Sequence, residues 1–283
     1  MKAKYVNPFT DFGFKKIFGE EASKPLLIDF LRSLLPESNI VNLSFKDKER
    51  LGRTQEDRKA IYDIYCEDGN GEKIIVELQK AKQNFFKDRT IYYASFPIQE
   101  QAERGDWNYE LKAVYCVGIL DFEFDDDKAL KEEVVHTVQL KDQNNQVFYD
   151  KLKFVYLEMP HFNKKESQLE NRLDKWLYFI KHLEDFETMP EMFKDEVFEQ
   201  AFKKAELATY TWDEQFEYQQ SLKIYRDLKG VVDTAFDEGK KEGVMEGIKV
   251  AKLEMAKSLK AIGVAPEIIC QTTGLSLEEV SRL

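Results

Sequence analysis

The segment RKAIYDIYCEDGNGEKIIVELQK (residues 58–80) contains two apolar runs separated by a short polar turn. The runs AIYDIYC (60–66) and KIIVELQ (73–79) are rich in β-branched and aromatic residues, which favour strands. Between them, Asp68-Gly69-Asn70-Gly71 is a strong hairpin signal, because these residue types adopt the turn conformations that join antiparallel strands. The segment therefore predicts a β-hairpin.

Two carboxylates interrupt the apolar runs of this hairpin. Asp63 lies in the middle of the first run, where an acid is costly unless it is paired, coordinated or at the edge of a site. Glu77 and Gln79 share one face of the second strand, because side chains alternate along a strand. Carboxylates that face the same way on adjacent strands suit Mg²⁺ or Mn²⁺. Such an ion activates water and stabilises charge on a phosphodiester, and the Gln79 amide would orient that water.

The same spacing also has a purely structural interpretation. Asp63 and Glu77 are then sheet residues that pair with Lys59, Lys73 or Arg89. Short patterns of acids and amides arise often by chance. Spacing alone leaves both interpretations open.

Elements on both sides of the hairpin predict an α/β arrangement with a mixed sheet. Strands are predicted at residues 40–45, 113–120, 134–140 and 153–159, and helices at 23–35, 84–104, 167–187, 191–206, 213–230 and 236–262. The run 113–120 does not alternate, which is typical of a strand buried on both faces. From about residue 165 onward the strand signal stops, and only helical periodicity remains.

This change in periodicity predicts three domains. Residues 1–162 form the α/β domain, residues 163–235 a helical domain, and residues 236–283 a long helix with a helix-turn-helix-like tail. In the long helix, Gly239, Gly243 and Gly247 recur every four positions. Close approach of a second copy of the chain would explain this spacing and predicts a homodimer through the C-terminal helices. A flexible connector is the alternative.

The charge of the chain is uneven. The 283 residues carry 42 Lys and Arg against 53 Asp and Glu, so the formal net charge is 42 − 53 = −11. This balance argues against a polycation that coats nucleic acid or anionic membrane. Residues 73–89, by contrast, hold five cations and two acids, a local charge of 5 − 2 = +3. The cations are Lys73, Lys80, Lys82, Lys87 and Arg89. They predict either a groove for a DNA backbone or a solvated helix face.

Targeting and redox features predict a cytoplasmic protein. The longest apolar run, residues 113–120, is far shorter than the ~20 residues of a membrane span. The first residues show no apolar run typical of a secretory signal. Three widely separated cysteines indicate a reducing compartment. His136, His161 and His182 show no ligand spacing, so the sequence does not predict a zinc site.

Several separate motifs, in a fixed order, resemble the PD-(D/E)XK nuclease family transposases, also called recombination-promoting nucleases. They are NPFTDFGFKKIFG (7–19), LLIDFLRSLL (26–35), the hairpin segment 58–80, and FFKDRTIYYASFPIQEQAERGDWNYELKAVYCVGIL (85–120). The resemblance runs over roughly residues 5 to 160 and extends more loosely to the C-terminus. It implies a restriction-endonuclease-like αβββαβ core and metal-dependent cleavage of DNA phosphodiesters, with a role in recombination or transposition.

The resemblance also implies roles for individual residues. Asp63 matches the first acid of the family motif and Glu77 the second, with the main-chain carbonyl of Leu78 as a further ligand of Mg²⁺ or Mn²⁺. Gln79 stands where the general motif has Lys. This replacement removes a cation beside the scissile phosphate and lowers the expected rate. The alternative function is therefore a weak or inactive nuclease fold that acts as a DNA-binding or protein-interaction module.

Three further residues are supporting candidates. By resemblance, the segment around Asp11 and Lys15 packs against the core and brings one of them toward the site. The alternative is that Thr10 or Asp11 caps a short helix while the neighbouring phenylalanines fill the core. Tyr92 follows Arg89 on the helix after the Glu77 strand, where the pair supports Glu77 or contacts a phosphate. A surface Arg with core tyrosines is the alternative.

Overall fold

The computed structural model describes residues 3–46, 49–50, 60–102, 105–124 and 133–283. By its contacts the chain divides into two compact units, Met1–Leu228 and Lys229–Leu283. The first unit contains the sheet and most of the predicted helical domain 163–235. Within this unit, the sheet and these helices share one hydrophobic core, in which the Trp176 ring packs 5.5 Å from the ring of Phe18. The contact boundary therefore falls inside that predicted domain.

The helices and strands follow one another in an order that contains the predicted αβββαβ core. The helices are α1 (Asp11–Phe18), α2 (Lys24–Leu34), α3 (Phe86–Gln99), α4 (Arg172–His182), α5 (Glu196–Ala205), α6 (Trp212–Ala261), α7 (Pro266–Thr273) and α8 (Leu277–Arg282). The strands are β1 (Leu43–Phe45), β2 (Glu49–Arg50), β3 (Ala60–Ile61), β4 (Ile64–Asp68), β5 (Lys73–Gln79), β6 (Val114–Leu120), β7 (Val135–Lys141) and β8 (Val147–Glu158). Elements α2, β1, β4, β5, α3 and β6 make up that core.

Six strands of the described chain form one mixed sheet in the order β1-β4-β5-β6-β8-β7. Strands β5, β6 and β8 are parallel neighbours, whereas the other pairs are antiparallel. The mixed α/β fold predicted from the sequence is thus confirmed. The β4–β5 turn is the predicted hairpin: Asp68 Oδ1 accepts hydrogen bonds from the Asn70 and Glu72 amides at 2.9 and 2.8 Å. Gly71 takes φ +82°, which glycine adopts without strain.

Helices cover both faces of the sheet. On one face, apolar residues such as Val76 and Val117 pack in the core formed with α1, α2, α4 and α5. On the other face, Ile75, Cys116 and Tyr156 pack beneath α3. Glu77 and Gln79 lie on the α3 face, because they alternate with Val76 and Leu78. This arrangement places the candidate site at the edge of a buried layer.

Two helix predictions differ from the structure. The helix predicted at 84–104 ends at Gln99 and contains Pro97 within its last turn. The segments predicted as separate helices at 213–230 and 236–262 form the single helix α6, since Gly230 between them does not interrupt helical hydrogen bonding. A glycine lowers helix stability by about 1 kcal/mol without breaking the helix.

In the second unit, the end of α6 packs with α7 and α8 around the small apolar cluster of Ala256, Ile269, Leu275 and Val280. Ser276 and Glu279 form a capping box at the start of α8. Gly239, Gly243 and Gly247 are exposed along α6, and a second copy at this surface stays a prediction. No helix among the described residues is long and apolar enough to cross a membrane.

Candidate metal centre

The two acids of the hairpin meet at the point where β4 begins and β5 ends. Ile64 pairs with Val76 in the antiparallel register, so Asp63 lies opposite Glu77. The Asp63 amide donates to Glu77 Oε1 at 3.3 Å, and the Leu78 amide donates to Asp63 Oδ2 at 2.8 Å. Directly opposed residues of an antiparallel pair point to the same face of the sheet. The predicted juxtaposition of the two carboxylates is therefore present.

The surroundings of this pair disfavour two negative charges. Both side chains are half-buried. Burial, followed by repulsion from Asp63, raises the pKa of Glu77 to about 8. Burial also raises the pKa of Asp63, although the hydrogen bond from the Leu78 amide opposes this shift. Near neutral pH the pair therefore carries a proton, mainly on Glu77, which a divalent cation would displace.

The donors around the pair fit a hard cation. The amide and carbonyl of a strand residue point to the same side, so the Leu78 carbonyl faces the same edge as its amide, which contacts Asp63. Across the described ranges, no group of three His, Cys, Asp or Glu side chains forms a metal site. The available set is therefore two carboxylates and a carbonyl. Mg²⁺ binds in this way, through one or two carboxylates with water completing its shell.

Gln79 lies buried beside the pair, with its Nε2 atom 3.5 Å from Glu77 Oε2. This amide is neutral, so it neither offsets the charge of the carboxylates nor supplies the cation that the general motif has at this position. It keeps hydrogen-bonding capacity for a water next to Glu77. The position is thus suited to orienting water and unsuited to stabilising charge.

Two lysines supply the positive charge near the pair. Lys15 and Lys80 both favour ionised Asp63 electrostatically. With Asp11, they line a groove of about 840 Å³ between α1 and the start of α6. Lys15 forms an ion pair with Asp11 at 2.8 Å. Burial lowers the pKa of Lys80, while Asp11 and Asp63 oppose that shift.

The segment before α1 supports both interpretations of the N-terminal motif. Thr10 is the N-cap, and its hydroxyl accepts a hydrogen bond from the Gly13 amide at 3.0 Å. Phe14 and Phe18 fill the core as the capping interpretation predicts. The same helix nevertheless places Lys15 in the field of the acidic pair. Capping and positioning are therefore compatible.

The residues predicted on the helix after β5 take different positions. Arg89 on α3 favours ionised Glu77 electrostatically, and its guanidinium lies 5.8 Å from the Tyr93 ring centre. The Tyr92 side chain is 44% exposed and packs against Phe96. Lys87 lies 5.0 Å from the Phe124 ring centre, on the other side of α3. Lys82 lies in the loop before α3 and is exposed.

Lys73 lies apart from the other predicted DNA-binding residues. It is the first residue of β5 and forms an ion pair with Glu67. Four residues of extended chain separate it from Glu77, which corresponds to roughly 13 Å. Pairing of Lys73 with Glu77, one of the structural alternatives, is therefore wrong. Lys59, another proposed partner, lies outside the described residues.

A second cluster of titratable groups lies two strands away and was not predicted. The buried Glu158 carboxylate accepts the Phe124 amide at 3.1 Å and contacts Nε2 of His136 and of His161 at 3.2 and 3.3 Å. The spacing of Glu158 and His161, three residues apart, is the one local signal for it. His136 joins only through the pairing of β7 with β8. Histidine spacing along the chain therefore could not reveal the cluster.

Comparison with known proteins identifies the family of the chain. Neither the curated proteins nor the solved structures include a significant match to the chain. The family model of the PD-(D/E)XK nuclease family transposases matches residues 8–235, which confirms the resemblance in the sequence motifs and shows that the chain belongs to this family.

Proposed function

We propose that the protein is a metal-dependent DNA endonuclease that hydrolyses phosphodiester bonds with Mg²⁺ or Mn²⁺ at Asp63 and Glu77. The observation that supports this most strongly is the placement of two half-buried acids with raised pKa values side by side at the end of β5, where the Asp63 amide donates to Glu77 Oε1. Such a pair is costly for folding unless a ligand compensates it. The family implies DNA as the substrate.

Each residue has a distinct part in this proposal. Asp63, Glu77 and the Leu78 carbonyl hold the ion, which when bound lowers the pKa of water and stabilises charge on the phosphate. The Gln79 amide orients the water. Lys15 and Lys80 compensate the phosphate charge from the groove beside α1.

One observation favours a second candidate function, a nuclease fold that binds DNA but cleaves it weakly. The Gln79 amide is neutral and occupies the place beside Glu77 where the general PD-(D/E)XK motif has a lysine. If wild-type protein binds DNA without cutting it, Gln79→Lys is expected to create cleavage, because an ammonium stabilises developing negative charge better than an amide.

The decisive test is cleavage of plasmid DNA and of single-stranded oligonucleotides with Mg²⁺ or Mn²⁺. We expect Asp63→Asn and Glu77→Gln each to lower the rate by about 100-fold or more, because either change removes a charged ligand. Glu67→Gln is the matched control, since Glu67 lies on β4 but pairs with Lys73. It should cut like the wild type. Absence of cleavage by the folded wild-type protein with both ions and both substrates would overturn the proposal.

Wider biological roles follow from the family and the exposed helix. Recombination or transposition is a prediction from family membership. A homodimer through the C-terminal helices and a cytoplasmic location are predictions from the sequence. Cleavage of DNA in the test above would leave all three open.

A further inference from the structure

A separate cavity of about 450 Å³ lies between α3 and the last two strands of the sheet. We call it the apolar slot. Its apolar walls are Ile91, Phe124, Val138, Leu140, Phe154 and Tyr156. Val138 and Leu140 are 47% and 49% exposed, because α3 does not extend over the edge strand β7. The slot is therefore open to a ligand with apolar faces.

One end of the slot is polar and offers acceptors. Glu158 is only 3% exposed; its carboxylate accepts the Phe124 amide and lies 3.2 and 3.3 Å from Nε2 of His136 and of His161. The Nε2 atom of His136 also lies 2.9 Å from the Glu133 carbonyl, which can only accept. Glu123 adds an exposed carboxylate. Lys87 also lines the slot, but the two carboxylates at this end are acceptors only when ionised, so the end favours a ligand that presents N–H donors.

The slot opens on the same edge of the sheet as the metal centre. Gln79 pairs with Leu120, and Leu120 pairs with Glu158, along the parallel strands β5, β6 and β8. Directly paired residues point to the same face, so Glu158 lies two strand spacings from Gln79, roughly 10 Å. Ligands of open α/β sheets bind outside the carboxyl ends of parallel strands.

The metal centre and the slot also share a wall. Tyr156 lines the slot and the small cavity next to Glu77. Its ring lies against Gly118, where a Cβ atom would come within 2.9 Å of Tyr156 Cδ1. Its hydroxyl is 2.7 Å from Thr90 Oγ1 of α3. The wall is therefore held from both sides.

We propose that the apolar slot binds one unpaired nucleobase of the DNA strand, with an amino-bearing edge toward the polar end. This inference rests on the proposed function for the identity of the strand. A base has two apolar faces and an edge of hydrogen-bonding groups, which is the pattern that proteins use to hold unstacked bases. Cytosine and adenine present an exocyclic amine, whereas thymine presents carbonyl oxygens around a single N–H. The acceptor-rich end therefore favours cytosine and adenine over thymine.

The test is equilibrium binding of fluorescent single-stranded 12-mers of dC and of dT, in EDTA at one fixed salt concentration. We expect wild-type protein to bind the dC strand about tenfold more tightly. Val138→Trp and Leu140→Trp fill the slot from the exposed edge strand, and each should abolish this preference by weakening dC binding. Thr137→Trp is the matched control, because Thr137 lies on the opposite face of β7. It should retain the preference, and circular dichroism checks that each variant is folded.

Three results would overturn the proposal: equal binding of dC and dT by wild type, wild-type behaviour of both slot variants, or equal weakening of both strands. Equal weakening of both strands would mean that the slot contacts the DNA backbone and does not recognise a base. Because the assay contains no divalent ion and scores no cleavage, it is independent of nuclease activity. If the protein prefers dC but cuts no DNA, the base-binding proposal stands and the proposed nuclease function fails.

Discussion

Glu77 and Glu158 lie on the same face of the sheet, at the same edge and two strands apart, yet their surroundings differ. Glu158 is buried; it accepts the Phe124 amide and lies next to the Nε2 atoms of two imidazoles. Glu77 faces Asp63, another carboxylate. The first arrangement is complete within the chain. The second has excess negative charge and needs a proton or a cation.

This difference distinguishes a buried carboxylate with polar partners from one that faces a second acid. Burial of an ionised group is tolerated when hydrogen bonds and charges compensate it. The fold supplies that compensation at Glu158. At Glu77 the nearest cations, such as Arg89 and Lys15, only partly offset burial and repulsion, and the pKa stays raised to about 8. A perturbed pKa of this origin is typical of a site that binds a ligand.

Metal binding should separate the two carboxylates most clearly. We expect saturating Mn²⁺ to stabilise the wild-type protein by about 2.7 kcal/mol when the ion is at 100 times its dissociation constant. Glu77→Gln should lose this stabilisation, because it removes a charged ligand. Glu158→Gln should retain it. Thermal unfolding with and without the ion measures the difference.

An equal effect of Mn²⁺ on wild type and Glu77→Gln would show that the ion binds elsewhere. Loss of the effect in Glu158→Gln would instead show that the histidine cluster takes part in metal binding. Either result would remove the distinction between the two carboxylates.

Stability without metal should give the opposite ranking of the two variants. Glu158→Gln leaves N–H donors facing an uncharged amide, and we expect it to lower the free energy of unfolding by about 2 kcal/mol. Glu77→Gln relieves repulsion from Asp63 and should not destabilise the metal-free protein at pH 8. Urea unfolding of each variant measures these changes.

Glu123→Gln serves as the control for the histidine cluster, because Glu123 is exposed and lies 3.8 Å from His161 Nε2. Its effect should stay within about 0.5 kcal/mol. A loss at Glu158→Gln as small as this would mean that the hydrogen bonds of Glu158 contribute little to stability.

The acidic pair was predictable from sequence because its geometry is local. A strong turn signal at residues 68–71 fixes the register of β4 and β5, and alternation then places Asp63 and Glu77 on one face. The cluster at Glu158 depends on contacts between β7, β8 and the loop after β6, which no local pattern specifies. The farther apart two contacting residues lie along the chain, the less a local sequence pattern predicts their contact.

The positive segment shows a different limit. A charge count over residues 73–89 ignores the distances between the charged side chains. The ends of a seven-residue strand lie roughly 20 Å apart. Lys73 at the start of β5 therefore pairs with Glu67, while Lys80 favours ionised Asp63 electrostatically.

Helix α6 shows a further limit of local patterns. It continues through Gly230 because a penalty of about 1 kcal/mol does not end a helix.

The pH dependence of stability tests the raised pKa of Glu77 directly. The pKa of Glu77 is about 8 in the folded chain, against an ordinary value of 4.5. Between these values the folded state binds more protons than the unfolded state, so the free energy of unfolding falls as pH rises. One proton gives a slope of at most about 1.4 kcal/mol per pH unit. Urea unfolding of metal-free wild type and Glu77→Gln from pH 5 to pH 8 measures it.

We expect Glu77→Gln to gain stability relative to wild type over this range, because only the wild type must ionise Glu77 beside Asp63. All other titrating groups are common to both proteins, so their contributions largely cancel in the difference. Saturating Mn²⁺ should reduce the wild-type slope, since the ion compensates the charge that ionisation creates. Parallel curves for the two metal-free proteins would mean that Glu77 is as well compensated as Glu158, and the contrast between the two carboxylates would fail.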